Sequence, residues 1–152
     1  MLYEKDRVKY LLLAFSLLGL GAMVYLMLSF SLSVIPTNSC DINSQINCAS
    51  VVTSSFSPII AGIDLYYYGE AFFIVMAALS AIFIWGREGK LHKTASVLLP
   101  VFSLLATFFA FYLIYLELFR IHSICLLCTT GHISIFALLI VSLIEYRRHG
   151  LR

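Results

Sequence analysis

Apolar positions fall in four long runs along the chain, with the polar positions gathered between them. No charged residue lies between Lys9 and Asp41, and Leu11, Leu12, Leu13, Phe15, Leu17, Leu18, Val24, Leu26, Met27, Leu28 and Phe30 fill more than one bilayer crossing. This stretch predicts a first transmembrane helix over about 9–35. Three further runs predict helices over about 65–86, with Glu70 near its start, over 94–117, and over 121–145, bounded by Arg120 and Glu145. The predicted fold is an all-α integral membrane protein. It is a four-transmembrane-helix bundle forming a single domain over residues 1–152, with a polar loop at 36–64.

Inside that loop, Val51, Val52, Phe56, Ile59 and Ile60 keep roughly helical spacing while Ser50, Ser54 and Ser57 occupy another face. The spacing predicts a short amphipathic helix lying on the bundle. Asn47 is placed to cap its start, which puts Cys48 at a helix N-terminus, and Pro58 is placed to end it. Asp64 fits a cap for the next long helix. No internal repeat or nucleotide-binding glycine loop is visible.

Composition narrows the class. Of 152 residues, 61% are hydrophobic and 12% charged, and the mean hydropathy is strongly positive. Those values exclude an ordinary soluble enzyme or nucleic-acid binder. The net charge of +2 is uninformative, but its distribution is not. Nine of the ten Lys and Arg residues cluster at the N-terminus (Lys5, Arg7, Lys9), after the second helix (Arg87, Lys90, Lys93) and at the C-terminus (Arg147, Arg148, Arg152). An even number of spans puts all three clusters on one side, and the positive-inside bias makes that side the cytoplasm. The expectation is a multi-pass plasma-membrane protein with both termini cytoplasmic and the 36–64 loop outside. The first apolar stretch exceeds a signal-peptide core and is followed by no small-residue cleavage pattern, so it is expected to be retained.

The same topology puts Cys40, Cys48, Cys125 and Cys128 on the outer side. Cys40 and Cys48 flank a polar spacer of seven residues, and Cys125-Leu126-Leu127-Cys128 begins the last helix, where i and i+3 share a face. Two structural disulfides are one reading. An i,i+3 disulfide closes too small a loop to stabilise much, whereas a helix N-terminus favours the thiolate used in exchange, so redox work explains the second pair better. A four-thiol zinc site ranks low in an oxidising compartment, and no metal is expected. Covalent haem attachment would need histidine where Thr129 stands.

The spaced loop pair, the run Cys48-Ala49-Ser50-Val51-Val52-Thr53-Ser54-Ser55-Phe56 followed by Gly62 and Gly69, and the last-helix Cys-x-x-Cys resemble the vitamin K epoxide reductase family and its microbial homologues. The resemblance covers nearly the whole chain. Ser54 stands six residues after the second loop cysteine, where that family has serine. The unrelated quinone-linked bacterial disulfide oxidases place their Cys-x-x-Cys first; here the order is reversed. The resemblance implies a relay. Cys40 would exchange with a separate thioredoxin-like protein outside the cytoplasm, Cys48 would react with Cys125, and Cys128 would face a membrane quinone such as menaquinone or ubiquinone. Where the vertebrate enzymes carry tyrosine four residues after the motif, this chain has His132, which argues against the epoxide itself as substrate.

His132 lies on the face of Cys128 and Cys125, in a segment where an ionisable side chain is costly without a partner. It is expected either to bond the quinone or to bond a neighbouring helix. Ser54, Phe56 and Tyr112 complete the candidate quinone contacts, although Tyr112 also belongs to an aromatic stripe with Phe108, Tyr115 and Phe119 that fits packing and an interfacial belt. His122 fits the membrane edge. Gly19, Ala22, Ala106 and Ala110 permit close helix packing. The competing functions are a non-catalytic tetraspan protein with structural disulfides, a dithiol-switched transporter or sensor, and reduction of a vitamin K-type quinone or epoxide.

Overall fold

A computed structural model describes residues 2–34, 36, 40–56, 63–86 and 89–150. The described elements are α1 (Leu2–Leu26), α2 (Cys48–Val52), α3 (Leu65–Trp85), α4 (Lys90–Leu116) and α5 (Leu126–Gly150). Two π-helical turns, Met27–Ser31 and Glu117–Ile121, continue α1 and α4. Four segments are long and apolar enough to cross a bilayer: Arg7–Ser31, Leu65–Trp85, Lys90–Ile121 and Leu126–Arg148. The fold is the expected membrane bundle.

The long helices run up and down. α1 packs on α3 and α5, and α4 closes the ring by packing on both α3 and α5. Leu12, Leu26, Phe73, Met76, Leu99 and Leu138 are fully buried in the middle. Outward-facing Leu105 (61% exposed) and Phe108 (67%) would be anomalous in water but suit lipid. Because lipid is as apolar as the core, close fit holds these helices together rather than burial from water. Small residues supply it. A Cβ at Gly19 would run into the Phe73 ring, and one at Gly69 or Gly131 would meet the Met23 side chain. Ser16, Ser80, Ser103 and Ser134 are fully buried as well, and each hydroxyl donates to the carbonyl four residues earlier. These four hydroxyls are thereby satisfied within their own helix.

The helix ends differ from the periodicity. The first helix ends at Ser31 rather than near 35, and the chain turns at Ser33 in a left-handed conformation (φ 51°). The last helix starts at Leu126 rather than 121, because 117–121 extend α4, His122 is left-handed (φ 56°), and the next residues pair with the loop. The amphipathic helix exists but is short. After Val52 the Thr53 hydroxyl donates back to the Ala49 carbonyl, and Ser54 Oγ accepts from the Phe56 N–H, so a turn replaces the helix. Ser57, Pro58, Ile59, Ile60, Gly62, Arg87 and Arg152 lie outside the described residues.

Candidate functional site

The cysteine site is assembled from loop hydrogen bonds. Asn47 is extended (φ −151°, ψ 105°) and its side chain accepts from the Ser50 N–H at 2.7 Å, the expected cap of α2. Asp41 Oδ1 accepts a second free N–H, that of Ala49, at 3.0 Å. One helix start thus binds side chains from both ends of the spacer. Between them, Asn43 Oδ1 accepts from the Gln45 and Ile46 N–H groups and folds the spacer into a turn. Cys40 and Cys48 are brought to a Cα separation of 5.6 Å and are paired in a disulfide.

A second set of bonds stitches this loop to the start of α5. Ile46 and Ile124 form a parallel bridge, in which the Ile124 N–H donates to the Gln45 carbonyl (2.7 Å) and the Asn47 N–H to the Ile124 carbonyl (3.1 Å). The Ser123 hydroxyl donates to the Ser44 carbonyl at 3.0 Å. Cys125 follows directly. Its carbonyl accepts from the Thr129 N–H, and its sulfur accepts from the Cys128 N–H at 3.1 Å, so Cys125 is the N-cap of α5. This refines the expectation that Cys125 lay just inside the helix. Cys125 and Cys128 are paired, with Cα atoms 5.1 Å apart.

The sulfurs of Cys40, Cys48 and Cys125 all lie within 4.8 Å of one another. All three cysteines are buried, Cys40 at 4% exposure. A trio of thiols this close could ligate a soft metal, but only as thiolates, which paired sulfurs are not. The arrangement instead brings one disulfide within reach of another.

Cys128 faces elsewhere. It lines a cavity of about 270 Å³ together with Met23, Val51, Phe56, Gly69, Phe73, Glu117 and His132. Lining residues of α4, Phe102, Leu105 and Phe109, are also exposed on the outside of the bundle, so the cavity reaches the lipid-facing surface along α4. The Arg120 guanidinium lies 4.9 Å from the centre of the Phe56 ring and holds it over the cavity.

The structure therefore brings all four cysteines together, with Phe56 and His132 at the cavity. Ser54 and Tyr112 do not line it. Ser54 serves the turn after α2, and Tyr112 is half exposed with the rest of its aromatic stripe, on the lipid-facing side. His122 is exposed. Asp64 precedes α3 at the N-cap position, but its carboxylate accepts from the Tyr66 hydroxyl at 2.9 Å instead of from a helix N–H. Sequence reasoning passed over two groups, Tyr66 and Glu117, which are buried residues lining the cavity. The signal for Glu117 was present: it is the lone acidic residue between Glu88 and Glu145.

Four membrane-spanning helices with two cysteine pairs meeting at one end define a membrane protein fitted to dithiol-disulfide chemistry. The chain matches the vitamin K epoxide reductase family over residues 10–143, most of its length, and belongs to that family. Comparison with curated proteins gives no match. Family membership and the cysteine pairs together indicate an oxidoreductase, in a family that is in general quinone-linked.

Proposed function

We propose that the protein is a thiol:quinone oxidoreductase that oxidises a separate thioredoxin-like protein and passes the electrons to a membrane quinone, driving disulfide formation outside the cytoplasm. The observation that carries this reading is the grouping of the Cys40, Cys48 and Cys125 sulfurs within 4.8 Å, with Cys128 on the largely apolar cavity behind them. Cys40 takes the electrons from the partner's dithiol, and the loop disulfide opens. The loop dithiol then reduces Cys125–Cys128 through a mixed disulfide of Cys48 with Cys125. The helical dithiol closes again as the quinone takes two electrons and two protons. Arg7, Lys9, Lys93, Arg147 and Arg148 gather at the bundle end opposite the cysteines, and the positive-inside bias supports the reading that the cysteines face outward. Cys40 is 4% exposed, so a protein donor requires the loop to open before its thiolate reaches the sulfur.

The test is quinone reduction by the purified protein in detergent, with either a reduced thioredoxin-like donor or a small dithiol. Cys40→Ala is expected to lose turnover with the protein donor and keep it with the small dithiol. No turnover by wild type with menaquinone or ubiquinone analogues would overturn the function.

His132 is 6% exposed, lines the cavity, and makes no hydrogen bond to a neighbouring helix among the described residues. It is positioned to donate to a quinone oxygen. His132→Phe is expected to raise the KM for quinone roughly 3–10-fold, the worth of one neutral hydrogen bond. A wild-type KM and rate in this variant would return the histidine to a packing role.

A further inference from the structure

We propose that Glu117 carries the proton of Cys125 to the quinone, an assignment that rests on the thiol:quinone reading above. Glu117 opens the π-helical turn that ends α4, and it is 6% exposed. A carboxyl group buried at the end of a membrane bundle is costly and marks function unless a partner explains it. No ion pair explains it among the described residues. The nearest cation in sequence, Arg120, is engaged with the Phe56 ring. What stands beside Glu117 is the site: its carboxylate lies near the Cys125 backbone N–H, and its side chain shares the cavity wall with Cys128 and His132. The π-helical turn matters for this register, since such turns re-aim one side chain and recur at functional sites.

The chemistry leaves a gap that this carboxylate fills. When the helical dithiol closes, two S–H bonds break, one S–S bond forms, two electrons enter the quinone and two protons reach its oxygens. Cys128 lines the cavity and its proton has a direct route. Cys125 is fully buried, is absent from the cavity wall, and turns its sulfur toward the loop pair. Its proton needs a carrier. Glu117 stands between the Cys125 backbone and the cavity; in the proposed step its carboxylate takes the proton released by the Cys125 sulfur, passes it to the reduced quinone oxygen and returns to its starting state. The other ionisable groups on the cavity wall are Asp64 just before α3, Tyr66 and Tyr68 from α3, and Cys128 and His132 from α5. α1 and α2 offer apolar Met23, Leu26, Val51 and Val52.

A purely structural role would be to pin the start of α5 through the Cys125 N–H. Glu117→Gln separates the two, because the amide oxygen can still accept from that N–H but cannot carry a proton. The experiment follows reduction of a short-chain benzoquinone by the full-length protein with a small dithiol as donor, between pH 5 and 9. Thiols are counted in parallel to show that Cys125–Cys128 still opens and closes. Glu117→Gln is expected to lower kcat on the order of 100-fold, the usual worth of a positioned proton carrier. The KM should stay within about twofold, the solvent deuterium isotope effect on kcat should grow, and Glu117→Asp should restore part of the rate. A wild-type kcat in Glu117→Gln overturns the assignment, as does a loss accompanied by failure of the Cys125–Cys128 pair to form. If wild type itself reduces no quinone, the thiol:quinone reading fails and takes this one with it; if wild type turns over and Glu117→Gln matches it, only the proton carrier is lost.

Discussion

Replacing Cys128 by alanine is expected to bring quinone reduction to the background rate with the protein donor and with a small dithiol alike. Cys128 is the cysteine on the cavity wall, whereas the other three sulfurs face one another behind it. The substitution is mild for the fold. The bond that Cys128 contributes to the start of α5 is its backbone N–H on the Cys125 sulfur, which alanine retains. What changes is the chemistry open to Cys125, left as an unpaired thiol within 4.8 Å of the loop disulfide. Its thiolate attacks the Cys48 sulfur, the new Cys48–Cys125 bond forms, and Cys40 leaves as thiolate. Peptide mapping without reductant is therefore expected to find Cys48 linked to Cys125. Substantial turnover in Cys128→Ala would mean that the quinone is served by another sulfur, and the order of the relay would be wrong.

The second large effect falls on a residue with no chemistry of its own. Ile124→Pro removes the N–H that donates to the Gln45 carbonyl at 2.7 Å and biases Ser123 as well, so the parallel bridge between the loop and the start of α5 is broken. The bridge holds the two disulfides within reach. A reacting pair displaced by about 1 Å loses on the order of 100-fold in rate. Turnover with the protein donor, which must pass through both pairs, is expected to fall by that factor. Turnover with a small dithiol that reduces the helical pair directly should stay within a few-fold of wild type. Ile124→Val keeps the N–H and should behave as wild type with both donors. Equal losses with both donors in Ile124→Pro would show general damage to α5 rather than a broken link.

The spans were legible because a run such as Leu11 to Phe30 leaves the chain no other use for its apolar residues. The grouping of four cysteines at one end followed from counting crossings and from the placement of Lys and Arg. Asn47 was legible as a cap because its role is local. The losses came where a contact joins distant segments or where the helix type changes. Nothing in Gln45, Ile46 or Ile124 announces a bridge spanning the chain from the loop to the last helix, since it uses backbone groups that every residue owns. The two π-helical turns shifted the helix ends, and Glu117, at the start of the second, lines the cavity, an irregularity that a period of 3.6 residues does not anticipate. Tyr112 shows the related limit. With apolar residues all around α4, sequence spacing groups Phe108, Tyr112, Tyr115 and Phe119 on one face but does not say whether that face meets a neighbouring helix or lipid. They face lipid, and the cavity uses Phe102, Leu105 and Phe109 instead.

The opening of the cavity to the lipid-facing surface along α4 has a consequence for control. An occupant entering there arrives by lateral diffusion within the leaflet, so what fills the site is its mole fraction among the lipids and not its amount per volume of cell. Oxidised and reduced forms travel in the same leaflet and compete for the same mouth. On the proposed thiol:quinone reading, the pace of turnover then follows the ratio of the two forms, and a membrane that reoxidises its hydroquinone slowly would slow the disulfide formation proposed for this protein.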